Sequence, residues 1–173
     1  METATEDRWE RALRGSLAGL QAGMLGAIYL LAWLGVSALC TKRSFWTAAN
    51  LMASVFYGAD AIRGGFSGST LSGVALYLLL YSLLGALFAM AFQTRMPRPM
   101  LTLVSILFAI SWYYLSFGVL WKSAAPLLVR LHYAWATVWG HVIYGAALSR
   151  YPVYLAGPAT VATSPEEPRP AEE

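Results

Sequence analysis

One histidine stands in the middle of an uncharged apolar run, and the helix that would carry it puts hydroxyls beside it. His141 lies within the apolar segment 131–148. At about 100° per residue, Thr137, His141 and Tyr144 share an arc of about 60°. An ionisable side chain inside a membrane-length segment carries a functional hypothesis by default: a proton relay, a haem or metal ligand, or a contact to a polar substrate. The plainer alternative is an imidazole satisfied by a serine, tyrosine or carbonyl of a neighbouring helix, and this is the reading favoured here. Tyr77 and Tyr81 supply two further phenols, in the row Gly73, Tyr77, Tyr81, Gly85 and Ala89 of another apolar segment. The candidate polar site is therefore His141, Tyr144, Thr137, Tyr81 and Tyr77.

The other groups that could do chemistry lie apart from this set. His132 precedes His141 by nine positions, which is half a turn around one helix and about 13 Å along it, so the two cannot close on one ion from a single helix. A bis-histidine haem would need a second chain. Beside Arg130, Tyr133 and Trp135, His132 fits an interfacial belt. Apart from Asp60 every carboxylate sits at an end of the chain, at Glu2, Glu6, Asp7 and Glu10 and at Glu166, Glu167, Glu172 and Glu173. Asp60 with Arg63 reads as a local surface pair. Cys40 is the one cysteine, so neither an internal disulfide nor a structural zinc site supports the fold. These residues imply no metal and no cofactor. A single histidine among hydroxyls, without a carboxylate, gives little support to an enzyme.

The elements that must position these groups follow from composition. Of 173 residues, 58% are hydrophobic and 12% charged, against about 25% charged in an ordinary soluble domain. Mean hydropathy is +0.53 and the pI about 9.1. This is the composition of an all-α integral membrane protein. The basic residues sit at segment ends, where they meet headgroups, and give no nucleic-acid patch. Residues 16–40 carry no charge and, at about 1.5 Å per residue, are long enough to cross a hydrocarbon core of about 30 Å. They form the first of four expected spans, at about 16–40, 71–92, 100–121 and 131–148, making one bundle over residues 1–150.

Gly15, Gly19, Gly23 and Gly26 lie on one face of the first span, a groove where a neighbouring backbone can dock. Gly85 and Gly145 are expected to pack helices in the same way. On the third span, Thr102, Ser105, Ala109, Trp112 and Ser116 form a small and polar seam facing inward. Gln21 falls opposite the glycines, and Trp112 and Trp139 read as bundle packing. Residues 1–15 form a short amphipathic helix running into the first span, with Thr3 and Glu6 as a capping box and Asp7–Arg11 and Glu10–Arg14 as i,i+4 pairs. Residues 44–57 suit an amphipathic helix along the membrane surface, with Thr47, Asn50 and Ser54 on its polar arc. Gly58, Gly64, Gly65 and Gly68 make 58–70 the expected flexible loop, and residues 151–173 form a Pro- and Glu-rich tail, largely without structure.

Basic residues near the span ends divide almost evenly. The short 93–99 turn with Arg95 and Arg98, together with the N-terminal helix, places both termini in the cytoplasm. Tyr81, Gly85 and Ala86 recur as His141, Gly145 and Ala146 at an offset of 60, as a parallel internal repeat would.

Through its four-segment layout and the run Gly140-His141-Val142-Ile143-Tyr144-Gly145, the chain resembles a loose group of small uncharacterised bacterial four-helix inner-membrane proteins. The resemblance implies the bacterial inner membrane and carries over no activity. Such proteins often hold a histidine where this chain has Tyr81. The expected function is a scaffold or accessory subunit working through helix packing. The alternative is an oligomeric transporter or channel subunit with a polar site at His141. Expected partners are the lipid bilayer and another membrane protein or further copies of the chain, with no nucleic acid.

Overall fold

The computed structural model describes residues 2–92 and 96–156, which are helices and connections with no strand among them. The order is α1 (Glu2–Cys40), α2 (Thr47–Tyr57), a 3-10 turn (Gly58–Ile62), α3 (Gly68–Ala91), α4 (Arg98–Leu115), a π-helical turn (Ser116–Leu120), α5 (Trp121–Ala124), α6 (Pro126–Leu131), α7 (Ala134–Leu148) and α8 (Tyr151–Leu155). Three stretches are long and apolar enough to cross a membrane: Ala12–Cys40, Gly68–Ala91 and Arg98–Ala124.

α1 is unbroken because no proline interrupts it and its charges stop at Arg14. Its amphipathic start joins the apolar stretch directly, and Arg14 pairs with Glu10 at 3.5 Å on the surface. The side chains of residues 2–8 and of Arg11 lie outside the described residues, and with them the expected capping box and the Asp7–Arg11 pair.

The glycine face serves two neighbours. Gly19 and Gly23 lie against α3. A Cβ added at Gly19 would stand 2.5 Å from the Gly85 carbonyl oxygen, and one at Gly85 would stand 2.8 Å from the Gly23 Cα. One turn on, the partner changes: a Cβ at Gly26 would meet Tyr144 Cδ2 of α7 at 2.7 Å. Gly15 is buried on the same helix. α7 in turn packs on α4 through Gly145, whose added Cβ would stand 2.6 Å from the Ile106 Cα. α3, α1, α7 and α4 therefore pack in series, with α1 between α3 and α7 and α4 at one outside of the row. The inward seam of α4 is present, with Ser105, Ala109 and Ser116 fully buried.

Several elements differ from the sequence reading. α2 begins at Thr47, and Ala49 to Ser54 are all buried, the polar Asn50 and Ser54 included. Its Ala49 carbonyl sits where a Cβ on Gly73 of α3 would go. The expected flexible loop is tied down: the Asn50 amide donates to the Gly64 and Gly65 carbonyls at 3.1 Å each, and Asn50 Oδ1 accepts the Thr70 hydroxyl at 2.6 Å. Thr70 Oγ1 also accepts the Ser67 N–H at 3.0 Å, closing the start of α3. Gly58, with φ +59°, makes the turn out of α2. Trp139 is 55% exposed, so it faces outward instead of packing the bundle, while Trp112 is half-buried against the core. At the head of the expected tail, residues 151–155 form α8, which packs on α1, and the Tyr151 hydroxyl donates to the Phe92 carbonyl at 2.6 Å. The remainder of that tail, from residue 157, lies outside the described residues, as do Gln93, Thr94 and Arg95 of the basic turn.

The expected fourth span is the largest departure. α7 has 15 residues, about 22 Å at 1.5 Å per residue. The chain before it breaks at His132, whose φ of −67° and ψ of 150° are extended, and resumes as helix at Ala134.

Candidate functional site

α3 and α7 bring the predicted polar residues together. His141 and Tyr144 lie one turn apart on the buried face of α7, and Tyr81 faces them from α3. The Tyr81 hydroxyl and His141 Nε2 are 2.8 Å apart. His141 Nδ1 lies 2.7 Å from the Thr137 carbonyl, which can only accept, so Nδ1 carries the hydrogen and donates. Nε2 then accepts the Tyr81 phenolic hydrogen, and every polar hydrogen of the pair has a partner. The Tyr144 hydroxyl donates to the Tyr81 carbonyl at 2.8 Å. That same carbonyl is what a Cβ at Gly23 would strike. One peptide oxygen of α3 is thus approached by the backbone of α1 and bonded by a side chain of α7. His141 and Tyr144 are sealed from outside, at 1% and 0% exposure.

Thr137 and Tyr77 carry this node toward one end of the bundle. Thr137 Oγ1 donates to the Tyr133 carbonyl at 3.0 Å, at the break before α7. Tyr77 stacks on Tyr81, with ring centroids 5.6 Å apart and planes 16° from parallel. All five predicted residues are therefore connected, His141, Tyr144 and Tyr81 in one sealed cluster and Thr137 and Tyr77 at its edge.

Tyr77 also lines a narrow slot of about 40 Å³, walled by α1, α2, α6 and the break before α7. Its polar lining includes Ser37, Thr41, Arg43, Thr47, His132 and Thr137. Arg43, Thr47, Leu51 and Leu131 also line a wider vestibule of about 330 Å³, reaching Asn50 and Gly64. Among the described residues no carboxylate lines either cavity. Arg43 stands at their junction and donates from Nη1 to the Leu131 carbonyl at 3.2 Å, capping α6.

The polar periodicity of α7 and α3 marks the residues of the buried node, whereas the slot has no signal in the sequence, because its walls come from five separate segments. The chain unwinds at His132 and Tyr133 without a proline at either position. His132 is not simply an interfacial residue: its Nδ1 donates to the Val129 carbonyl at 2.7 Å, holding the bend. The two histidines flank one side chain, Tyr113 of α4. His132 Nε2 is 3.4 Å from its hydroxyl, and the His141 ring centroid is 5.3 Å from its ring. Tyr113 carried no motif in the sequence beyond its place on α4. Among the described residues no group of three or more His, Cys, Asp or Glu side chains is placed to hold a metal.

The positions that matched at an offset of 60 do matching work. Gly85 receives the preceding long helix α1, and Gly145 receives the preceding long helix α4. Tyr81 and His141, another of the three matched pairs, bond to each other.

No family model matches the sequence, and no curated protein and no solved structure matches it.

Proposed function

We propose that this chain is a four-span inner-membrane protein of a bacterium, with both termini cytoplasmic, that serves as a scaffold or accessory subunit and not as a catalyst. In this reading α6 and α7 together form a broken fourth crossing. α6 and α7, of 6 and 15 residues, provide about 32 Å of helical rise between them, and a break at that depth is tolerated where it is buried or lines a cavity, as the slot provides. The observation that carries the accessory reading is the saturation of His141: both ring nitrogens have partners within the chain, and the ring is sealed, leaving no position for a substrate or a metal.

The packing supports one surface for such a partner over the others. The glycine faces of α1, α3 and α7 are used within the chain, whereas only 22% of the apolar window of Arg98–Ala124 is buried. Leu103, Leu107, Tyr114 and Val119 are each more than half exposed there. That outer face of α4 is the surface left for lipid, for a partner membrane protein or for another copy.

An oligomeric transporter or channel subunit is the second reading, favoured by the unwound segment at His132 and Tyr133 beside a polar slot. Native mass spectrometry from lipid discs separates the two. A complex with a different chain, or a monomer carrying only lipid, is the expected result. A closed homo-oligomer that retains a reproducible small-molecule mass would overturn the accessory reading in favour of transport.

A further inference from the structure

From the break before α7 we infer that the slot is a binding site for a compact monoanion, a function beyond the accessory reading and independent of it. Three features of different origin converge there. The first is the N-terminus of α7. Its N-cap, Tyr133, supplies no side-chain hydrogen bond, and the first backbone bond of the helix is from the Thr137 N–H to the Tyr133 carbonyl at 3.0 Å. The N–H groups of Ala134, Trp135 and Ala136 precede it and lack a helical acceptor. Tyr133, Ala136 and Thr137 line the slot, so the positive end of the helix dipole stands at its wall.

The second feature is a pair of hydroxyls with nothing to bond. Ser37 and Tyr77 are 6% and 4% exposed, and both line the slot. Neither side chain has a hydrogen-bond partner among the described residues. Among the described residues Trp112 Nε1, away from the slot, is the one fully enclosed side-chain nitrogen or oxygen that lacks a partner, so the two hydroxyls are open to the slot and not sealed in the core. By contrast, the Thr41, Thr47 and Thr137 hydroxyls donate to backbone carbonyls at 2.9, 2.6 and 3.0 Å.

The third is charge. Arg43 is fixed at the mouth by one bond to Leu131, which leaves the rest of its guanidinium donors available, and among the described residues no carboxylate lines the slot or the vestibule to neutralise it. Two free hydroxyl donors, a helix N-terminus and an arginine form a donor-rich site of positive potential, beside the one imidazole acceptor of His132, and what such a site lacks is a negatively charged acceptor. Size narrows the class. A volume of 40 Å³ admits a halide-sized ion or a few waters, at about 10–15 Å³ per water, and the vestibule gives it a way in from the end of the bundle that bears Cys40. Below the slot, Tyr77 stacks on Tyr81 and the sealed His141 node closes the floor.

The test is thermal unfolding of the full chain in discs of neutral lipid, in sodium chloride against sodium gluconate at equal ionic strength, gluconate being too large for the slot. We expect chloride to raise Tm by about 3 °C. Tyr77→Phe keeps the ring stack and removes only the hydroxyl; it and Ser37→Ala should each lose most of the chloride-dependent rise, and Arg43→Gln should lose it as well. Lys122→Gln, on an exposed residue outside both cavities, should keep it. Chloride line broadening in 35Cl NMR, displaced by bromide, gives a second readout that does not depend on unfolding. Equal Tm in the two salts with no line broadening would show a slot filled by water alone and overturn the proposal. So would a chloride effect that survives all three slot variants, or stabilisation that appears only in discs containing an anionic phospholipid, which would assign the donors to a lipid headgroup.

Discussion

His141 and Tyr81 complete each other: the histidine offers the acceptor that the buried phenol needs, and Thr137 takes the hydrogen on the other ring nitrogen. The value of the arrangement lies in what its loss would expose. His141→Ala would leave the Tyr81 hydroxyl without a partner and open a cavity between α3, α4 and α7, costing about 3 kcal/mol. Tyr144→Phe keeps the ring against Gly26 and loses one hydrogen bond, about 1 kcal/mol, because the Tyr81 carbonyl remains in its helix. Thermal unfolding of the two variants in one detergent should rank them in that order. Equal effects would show that the imidazole fills space and contributes no hydrogen bond of consequence. The exposed pair Asp60–Arg63, at 3.6 Å and with both side chains more than three-quarters in solvent, contributes little by comparison.

At the scale of elements, two devices hold the helices together, and each permits a separate test. The first is close backbone approach. Gly23→Val would force α1 away from the Tyr81 carbonyl and Gly85, and would disturb the Tyr144 bond made to the same oxygen. We expect a lower Tm and a weakened α1–α3 contact, read as faster proteolysis between them, whereas Gly64→Val, where an added Cβ meets nothing within 4 Å, should leave both unchanged. The second device is the Asn50 clamp. Asn50 has committed its amide to two carbonyls and its oxygen to Thr70, so α2 and the start of α3 are fixed by one side chain. Asn50→Ala should accelerate amide exchange at residues 63–67 by about an order of magnitude, as the loss of one or two hydrogen bonds implies, with little change in the middle of α3. Uniform acceleration along α3 would show that the clamp supports the whole helix.

At the scale of the molecule, the bundle has two unlike ends. One carries the start of α1, the end of α3 and α8, tied together by the Tyr151 bond to Phe92. The other carries Cys40, α2, α5, α6 and the slot. Cys40 is exposed and is the one thiol of the chain, so it reports the orientation without any substitution. With both termini cytoplasmic, an impermeant maleimide added to intact cells should label it. Labelling only after the membrane is permeabilised would invert the orientation and place the slot on the cytoplasmic side. α4 packs on the row of helices through one face, so dimerisation or partner binding is expected to protect its outer leucines before any other surface.

Much of this was legible in the linear chain. Hydropathy and the absence of internal charge mark the long helices, because in lipid a backbone must satisfy itself within the segment. The spacing of Gly19, Gly23 and Gly26 marks a face of close approach, and the spacing of Thr137, His141 and Tyr144 marks a polar stripe, because helical periodicity alone places residues on faces. The same periodicity says nothing about which helix faces which. Only the tertiary structure decided that Gly26 turns to α7 while Gly19 and Gly23 turn to α3, and that Tyr81 answers His141. The polar arc of α2 reads as a surface pattern until three carbonyl and hydroxyl partners, supplied by residues 64–70, make its burial favourable. The break at His132 had no proline to announce it: the His132 bond to the Val129 carbonyl is local, but the Arg43 bond to the Leu131 carbonyl forms only when the segment after α1 and α6 are brought together. Local pattern determines the elements and their faces, while the unsatisfied donors left after packing determine where this protein has room for something else.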